Sequence, residues 1–211
     1  MTFLFTRSVQ LGRANVLDSM AWSVKMTEKV NAISETPVRL WTTVMSPDVG
    51  RLTWTTTTED ISTIAGSQEK LLADSGYLDL VEEGASYTNG AAPVDGLVRL
   101  VHADSDGVAG AKYSTVARAV LAPGALTSGM ALGVEIATRA KAITGRPTSF
   151  GVAQTGVYGE VGWIALYDTI EDVQAAGDAL AADPAFAKLL DDNAGTWLAG
   201  SSTQVISRRV A

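Results

Sequence analysis

Cysteine is absent from this 211-residue chain. That excludes disulfides, thiolate catalysis, iron–sulfur clusters and Cys-ligated zinc. Histidine is nearly absent: His102 is the single one, too few for a metal site built from His and Cys. Positive charge is short as well, with 16 Lys and Arg against 23 Asp and Glu and a formal net charge of −7. The basic residues are scattered, so the electrostatic footprint of a nucleic-acid binder is missing. No apolar run approaches the ~20 residues of a membrane helix. The start, MTFLFTRSVQ, lacks the basic-then-apolar form of a secretory signal. These absences lead us to expect a cytoplasmic protein whose partners include neither nucleic acid nor membrane. There is no G-x-S-x-G elbow, P-loop or dinucleotide fingerprint. GVYGEVG at 156–162 reads as a hairpin loop, and DSDG at 104–107 as a turn, since a calcium loop would need a Glu at its last position.

What the chain does have is an internal repeat. Residues 20–37 read MAWSVKMTEKVNAISETP and residues 130–147 read MALGVEIATRAKAITGRP. Met, Ala, Val, Ala, Ile and Pro recur in register. Further on, LLADSGYLDLVEEGA (71–85) answers ALAADPAFAKLLDDNA (179–194). We expect two domains, 1–103 and 111–211, joined by a polar, Gly-bearing linker at 104–110.

Within each half the patterning gives the same order of elements. Residues 3–11 and 113–121 near-alternate and read as strands. Each carries an arginine two residues before a valine: Arg7 with Val9, and Arg118 with Val120. A helix follows from about residue 15 to 34. Val16, Leu17, Met20 and Val24 make one apolar face, and Trp22, Met26 and Ile33 make a second. Leu132, Ile136 and Ile143 repeat the second. Pro37 and Pro147 stop the two helices. Strands at 38–45 and 51–58 match strands at 149–155 and 161–167, which aligns Trp54 with Trp163 and Ile61 with Ile170. Helices at 61–73 and 170–182 come next, then short helices capped by Asp74 and by Asp183-Pro184. Tyr77, Leu80 and Val81 answer Phe186, Leu189 and Leu190. Gly84 and Asn193 read as left-handed closures of these helices. Last strands lie at 96–102 and 203–210. The order is the ferredoxin-like βαββαβ motif. It leaves one sheet face bare, so each half needs a partner sheet.

Several of these segments resemble one family. RAVLAPG (118–124), the Gly-x-x-x-Trp starts of the third strands (Gly159 to Trp163, Gly50 to Trp54), Asp183-Pro-Ala-Phe, and Gly200-Ser before an Arg-bearing last strand are similar to the dimeric α+β-barrel superfamily in its tandem-repeat form, with NIPSNAP-type domains closest in pattern. The resemblance implies an α+β fold: two ferredoxin-like repeats whose sheets pack face to face as an intramolecular eight-stranded barrel. It implies a lumen that holds a small molecule. The superfamily includes cofactor-free monooxygenases, haem enzymes and isomerases, and its haem enzymes carry their axial histidine in the C-terminal repeat. The second half here has no histidine. We therefore expect no cofactor and no metal, and read His102 as a strand-end residue.

The candidate ligand-binding residues follow from this placement. Trp54 and Trp163 share strand faces with Thr56 and with Tyr167. They read either as the aromatic wall of a lumen site or as plain barrel filling. Arg7 and Arg118 read as pseudo-equivalent, serving either a structural salt bridge or an anionic group in the same space. The leading functional expectation is binding of a small organic molecule in the lumen. The alternatives are a cofactor-independent monooxygenase or isomerase acting on an aromatic or polyketide-like substrate, and a non-catalytic structural pseudo-dimer. The second apolar stripe of the long helices, with Trp22 and Leu132, leads us to expect a homodimer.

Overall fold

The structure, a computed structural model, describes residues 1–88, 90, 92–104 and 109–211. Most of the expected DSDG turn and of the linker, residues 105–108, therefore lies outside the described residues. Those described form β1 (Thr2–Gln10), α1 (Val16–Ile33), β2 (Arg39–Val44), β3 (Arg51–Thr58), α2 (Ile61–Leu72), α3 (Ser75–Ala85) and β4 (Val94–His102). The same order returns as β5 (Tyr113–Val120), α4 (Leu126–Thr144), β6 (Thr148–Ala153), β7 (Glu160–Tyr167), α5 (Ile170–Ala182), α6 (Pro184–Asp192) and β8 (Thr203–Arg209). The strands hydrogen-bond in the order β1-β3-β2-β8-β5-β7-β6-β4 and close as a barrel. No described helix is long and apolar enough to cross a membrane.

The chain divides into two compact units, Met1–Leu97 with Arg208–Ala211, and Val98–Ser207. In the first unit, β3 is the central partner: Arg7 lies opposite Trp54, and Leu40 lies opposite Trp54 on the other side. Trp54, Leu52 and Leu40 therefore share one face, which packs against α1 with Trp22 and Met26. α1 meets that face through a row of small hydroxyl residues, Ser19, Ser23 and Thr27, all buried. Each hydroxyl donates to a carbonyl of its own helix, Val16, Met20 and Ser23 respectively. A hydroxyl satisfied in this way packs as a small apolar group. The expected face of Val16, Leu17, Met20 and Val24 is thus not the packing face: Val16 and Leu17 are exposed. The stripe containing Trp22 turns inward. Its indole N–H donates to Leu80 O at 2.7 Å, and the ring lies on Gly84. Gly84 sits inside α3, so its role is to admit this ring, not to end the helix in a left-handed turn.

The second unit repeats the plan with other fillers. Ala117 lies opposite Trp163, and so does Phe150. α4 uses Gly129, Gly133 and Ala137 where α1 has Ser19, Ser23 and Thr27. Gly133 has no room for a side chain because the Phe150 ring occupies that place. Leu132 is buried with Ile136, Ala140 and Phe186. Both stripes that suggested a homodimer are therefore taken up inside their own units. Asn193, expected in a left-handed turn, has φ −114° and instead donates through its side-chain amide to Leu189 O at 2.9 Å.

Candidate functional site

The first unit contains a cavity of about 590 Å³ between the helix-facing side of its sheet and α1, α2 and α3. Phe5, Arg7 and Val9 line it from β1, Trp54 and Thr56 from β3, and Trp22 and Met26 from α1. Ser67, Gln68 and Leu71 enter from α2 and Tyr77 from α3, and Thr88 closes one side. The volume lies within the range of small-molecule sites, about 300–1,000 Å³.

The cavity's polar groups are positioned by specific bonds. Trp54 donates its indole N–H to Thr27 Oγ1 at 2.8 Å, which fixes the ring in the wall. Trp22 stands edge-on to it, with ring centroids 5.9 Å apart. Arg7 makes a two-pronged bond to Asp95, Nε to Oδ1 and Nη2 to Oδ2, each 2.7 Å. This pairing holds the guanidinium pKa above its ordinary value, and partial burial works against it. Arg7 Nη1 is also 3.5 Å from the Tyr77 hydroxyl. Thr56 donates to Thr36 Oγ1 at 2.8 Å. Ser67 Oγ is buried and has no hydrogen-bond partner.

Two of the five residues singled out from the sequence come together here, Arg7 and Trp54. They lie on the helix side of the sheet, so the expected lumen position is corrected. Trp163 also faces its helices: its indole N–H donates to Gly133 O at 2.9 Å, and its ring packs on Phe150 and Trp197. Tyr167 shares that face by strand alternation. It is buried, its hydroxyl lies 3.4 Å from Thr115 Oγ1, and burial pushes the phenol pKa up. Arg118 is the clearest departure. The residue that answers Arg7 is Ala117, since each lies opposite its unit's tryptophan. Arg118 is one position further on and therefore on the other face. Its side chain is 51 % exposed and 3.8 Å from Glu160. Trp41, passed over in the sequence, is the aromatic on the other face of the first unit's sheet; it lies opposite Thr53 and donates to Thr55 Oγ1 at 3.0 Å.

Setting the two units side by side explains why the first has room. Gly12 N–H donates to Tyr87 O, and Ala122 N–H to Thr196 O. Thr88 therefore corresponds to Trp197, whose indole packs edge-on against Trp163 at 5.3 Å. The first residues of α2 and α5, Ile61 and Ile170, set Ser67 on Ala176 and Gln68 on Gly177. The caps Asp74 and Asp183 accept from Tyr77 N and Phe186 N, each at 2.8 Å, which sets Tyr77 on Phe186. The β-registers set Thr56 on Ala165. At each of these places the first unit is the more polar, but only Thr88 for Trp197 removes bulk; at the other four the first unit has the larger side chain. Ser67, Tyr77 and Thr88 were legible as site residues only through this comparison.

No family model and no curated protein matches this chain. Solved structures do match. A candidate monooxygenase from Fusobacterium nucleatum aligns over 100% of this chain and 93% of its own, with TM-score 0.73 and 7% identity. An anthrone oxidase-like protein aligns over 100% and 92%, with TM-score 0.67 and 13% identity. A NIPSNAP protein of unknown function from Agrobacterium tumefaciens aligns with 51% of this chain and 93% of its own at TM-score 0.40 and 17% identity, too slight to argue from. The likeness is one of fold. The chain has the architecture of the dimeric α+β-barrel proteins.

Proposed function

We propose that the first unit binds one small, mostly apolar organic molecule in the cavity between its sheet and α1–α3. The observation that carries this reading is the contrast between the units. The second packs the Trp197 indole where the first has Thr88 beside about 590 Å³ of space, a space that Tyr77 and Ser67 line with hydroxyl-bearing side chains where the second has Phe186 and Ala176. Packing alone favours the filled version, because an unfilled volume of this size forfeits contact energy. A purely structural pseudo-dimer has no use for the cavity. A second reading, cofactor-independent oxygenation or isomerisation, draws on the names of two fold neighbours. It draws also on Arg7 and Tyr77 standing together in the wall, where they would face an oxyanion developing on a bound substrate.

Thr88→Trp tests the site by giving the first unit the second unit's plug. Titrated with the fluorescent aromatic 1-hydroxypyrene, the native protein is expected to bind one molecule per chain, and folded Thr88→Trp to lose that binding. Equal binding by the two proteins would contradict the reading.

A further inference from the structure

Arg7 and Tyr77 give the first unit two polar groups that the same framework does without in the second, where Ala117 and Phe186 hold their places. Both line the cavity, and the Arg7 side chain is 32% exposed, so its guanidinium is open to a ligand. A guanidinium carries five N–H donors and no acceptor. Among the described residues, Asp95 takes two of the five and the Tyr77 hydroxyl a third, 3.5 Å from Nη1. One N–H on Nη1 and one on Nη2 are left. Tyr77, accepting from Nη1, keeps its own proton to donate. This corner of the wall therefore offers donors. Asp95 supplies the counter-charge, and each of its oxygens already accepts from Arg7. A carboxylate ligand would stand beside Asp95 as a like charge, which disfavours its ionised form. A carbonyl oxygen accepts two donors, carries no charge and brings no proton that needs an acceptor of its own.

We propose that Arg7 and Tyr77 set the specificity of the cavity: the ligand is an uncharged, largely apolar carbonyl compound whose oxygen accepts from both. This rests on the cavity being the binding site, as proposed above. Phe5, Val9, Trp22, Met26 and Trp54 supply the apolar wall for the body of the molecule. A site that hydrogen-bonds one group of its ligand discriminates against the analogue that lacks it.

The test uses two probes that share one apolar body, pyrene-1-carbaldehyde and pyrene. They are titrated into the native protein, into Tyr77→Phe, and into Arg7→Ala combined with Asp95→Ala. Tyr77→Phe copies Phe186, and the double variant removes both charges so that neither is left unpaired. A melting curve checks each fold. The first readout is the ratio of the two dissociation constants, which cancels changes common to both probes. The second is the infrared carbonyl stretch of the bound aldehyde, which hydrogen bonding lowers and a merely structural change leaves alone. We expect the native protein to prefer the aldehyde and to hold its stretch below the value in hexane. In each variant the preference should fall about tenfold, the worth of one net hydrogen bond, and the stretch should rise. A ratio and a stretch unchanged in either variant, with both probes still expelled by Thr88→Trp, would overturn this proposal and leave the cavity reading standing. Failure of both probes to bind the native protein would overturn both.

Discussion

Gly84 and Gly66 lie on neighbouring helices of the first unit and face opposite circumstances. A side chain on Gly84 would run into the indole of Trp22, while one on Gly66 meets nothing within 4 Å. Gly84→Ala is therefore expected to destabilise the protein by about 1–3 kcal/mol, the range for overpacking. Gly66→Ala is expected to stabilise it by about 0.5–1 kcal/mol, the ordinary gain from removing a glycine from a helix interior. Urea denaturation reads both, and a neutral Gly84→Ala would mean that Trp22 is not held where the packing puts it. The sequence made the pairing of Trp54 with Trp163 plain, because both stand at the same place after a glycine turn. It could not say which face of the sheet they occupy. Alternation separates two faces without labelling them, and Thr56 and Tyr167 gave no sign of which side carried helices. Arg7 and Arg118 were matched through a valine two residues on. Strand side chains invert with each step, so that one-residue error changed the face.

At the scale of elements, turns and caps were the most legible features. Asp74 and Asp183 cap α3 and α6 as expected, each accepting from the backbone N–H three residues on. Asp74 does more: its carboxylate also takes Lys29 Nζ at 2.8 Å, tying α3 to α1. The Lys29 hydrogen bond, then the Tyr77 N–H, hold the Asp74 pKa below its ordinary value. A lowered folded-state pKa gives stability that is present above the unfolded value and lost as pH falls through the folded one. Asp74→Asn keeps a capping side chain but cannot titrate. Its stability should therefore fall less steeply than the native protein's on acidification below about pH 4, the unfolded Asp range. Parallel acid limbs in thermal melts would contradict the tie. The packing face of α1 was misread for a chemical reason. Ser19, Ser23 and Thr27 count as polar in a hydropathy pattern, yet their hydroxyls are spent on their own helix and the row lies against the sheet.

For the whole molecule, the repeated order of elements was enough to anticipate the barrel and its eight strands, since bare sheet faces leave few other solutions. The position of the cavity was not legible. It depends on what is missing at Thr88, where the second unit has Trp197, and an absence of bulk has no signature until two copies of the same framework are compared. On this reading one framework is used twice, with the Trp197 indole packed in the second unit at the place that Thr88 leaves open for a ligand in the first. The five tryptophans of the chain allow this to be measured in one experiment. Trp22 and Trp54 line the cavity, while Trp163 and Trp197 pack on each other in the second unit. With the tryptophans labelled by ¹⁵N, each indole N–H gives its own NMR signal. On titration with 1-hydroxypyrene, the signals of Trp22 and Trp54 should move together and saturate, while those of Trp163 and Trp197 stay in place. Movement of the Trp163 and Trp197 signals without the other two, or no movement of any, would contradict the account.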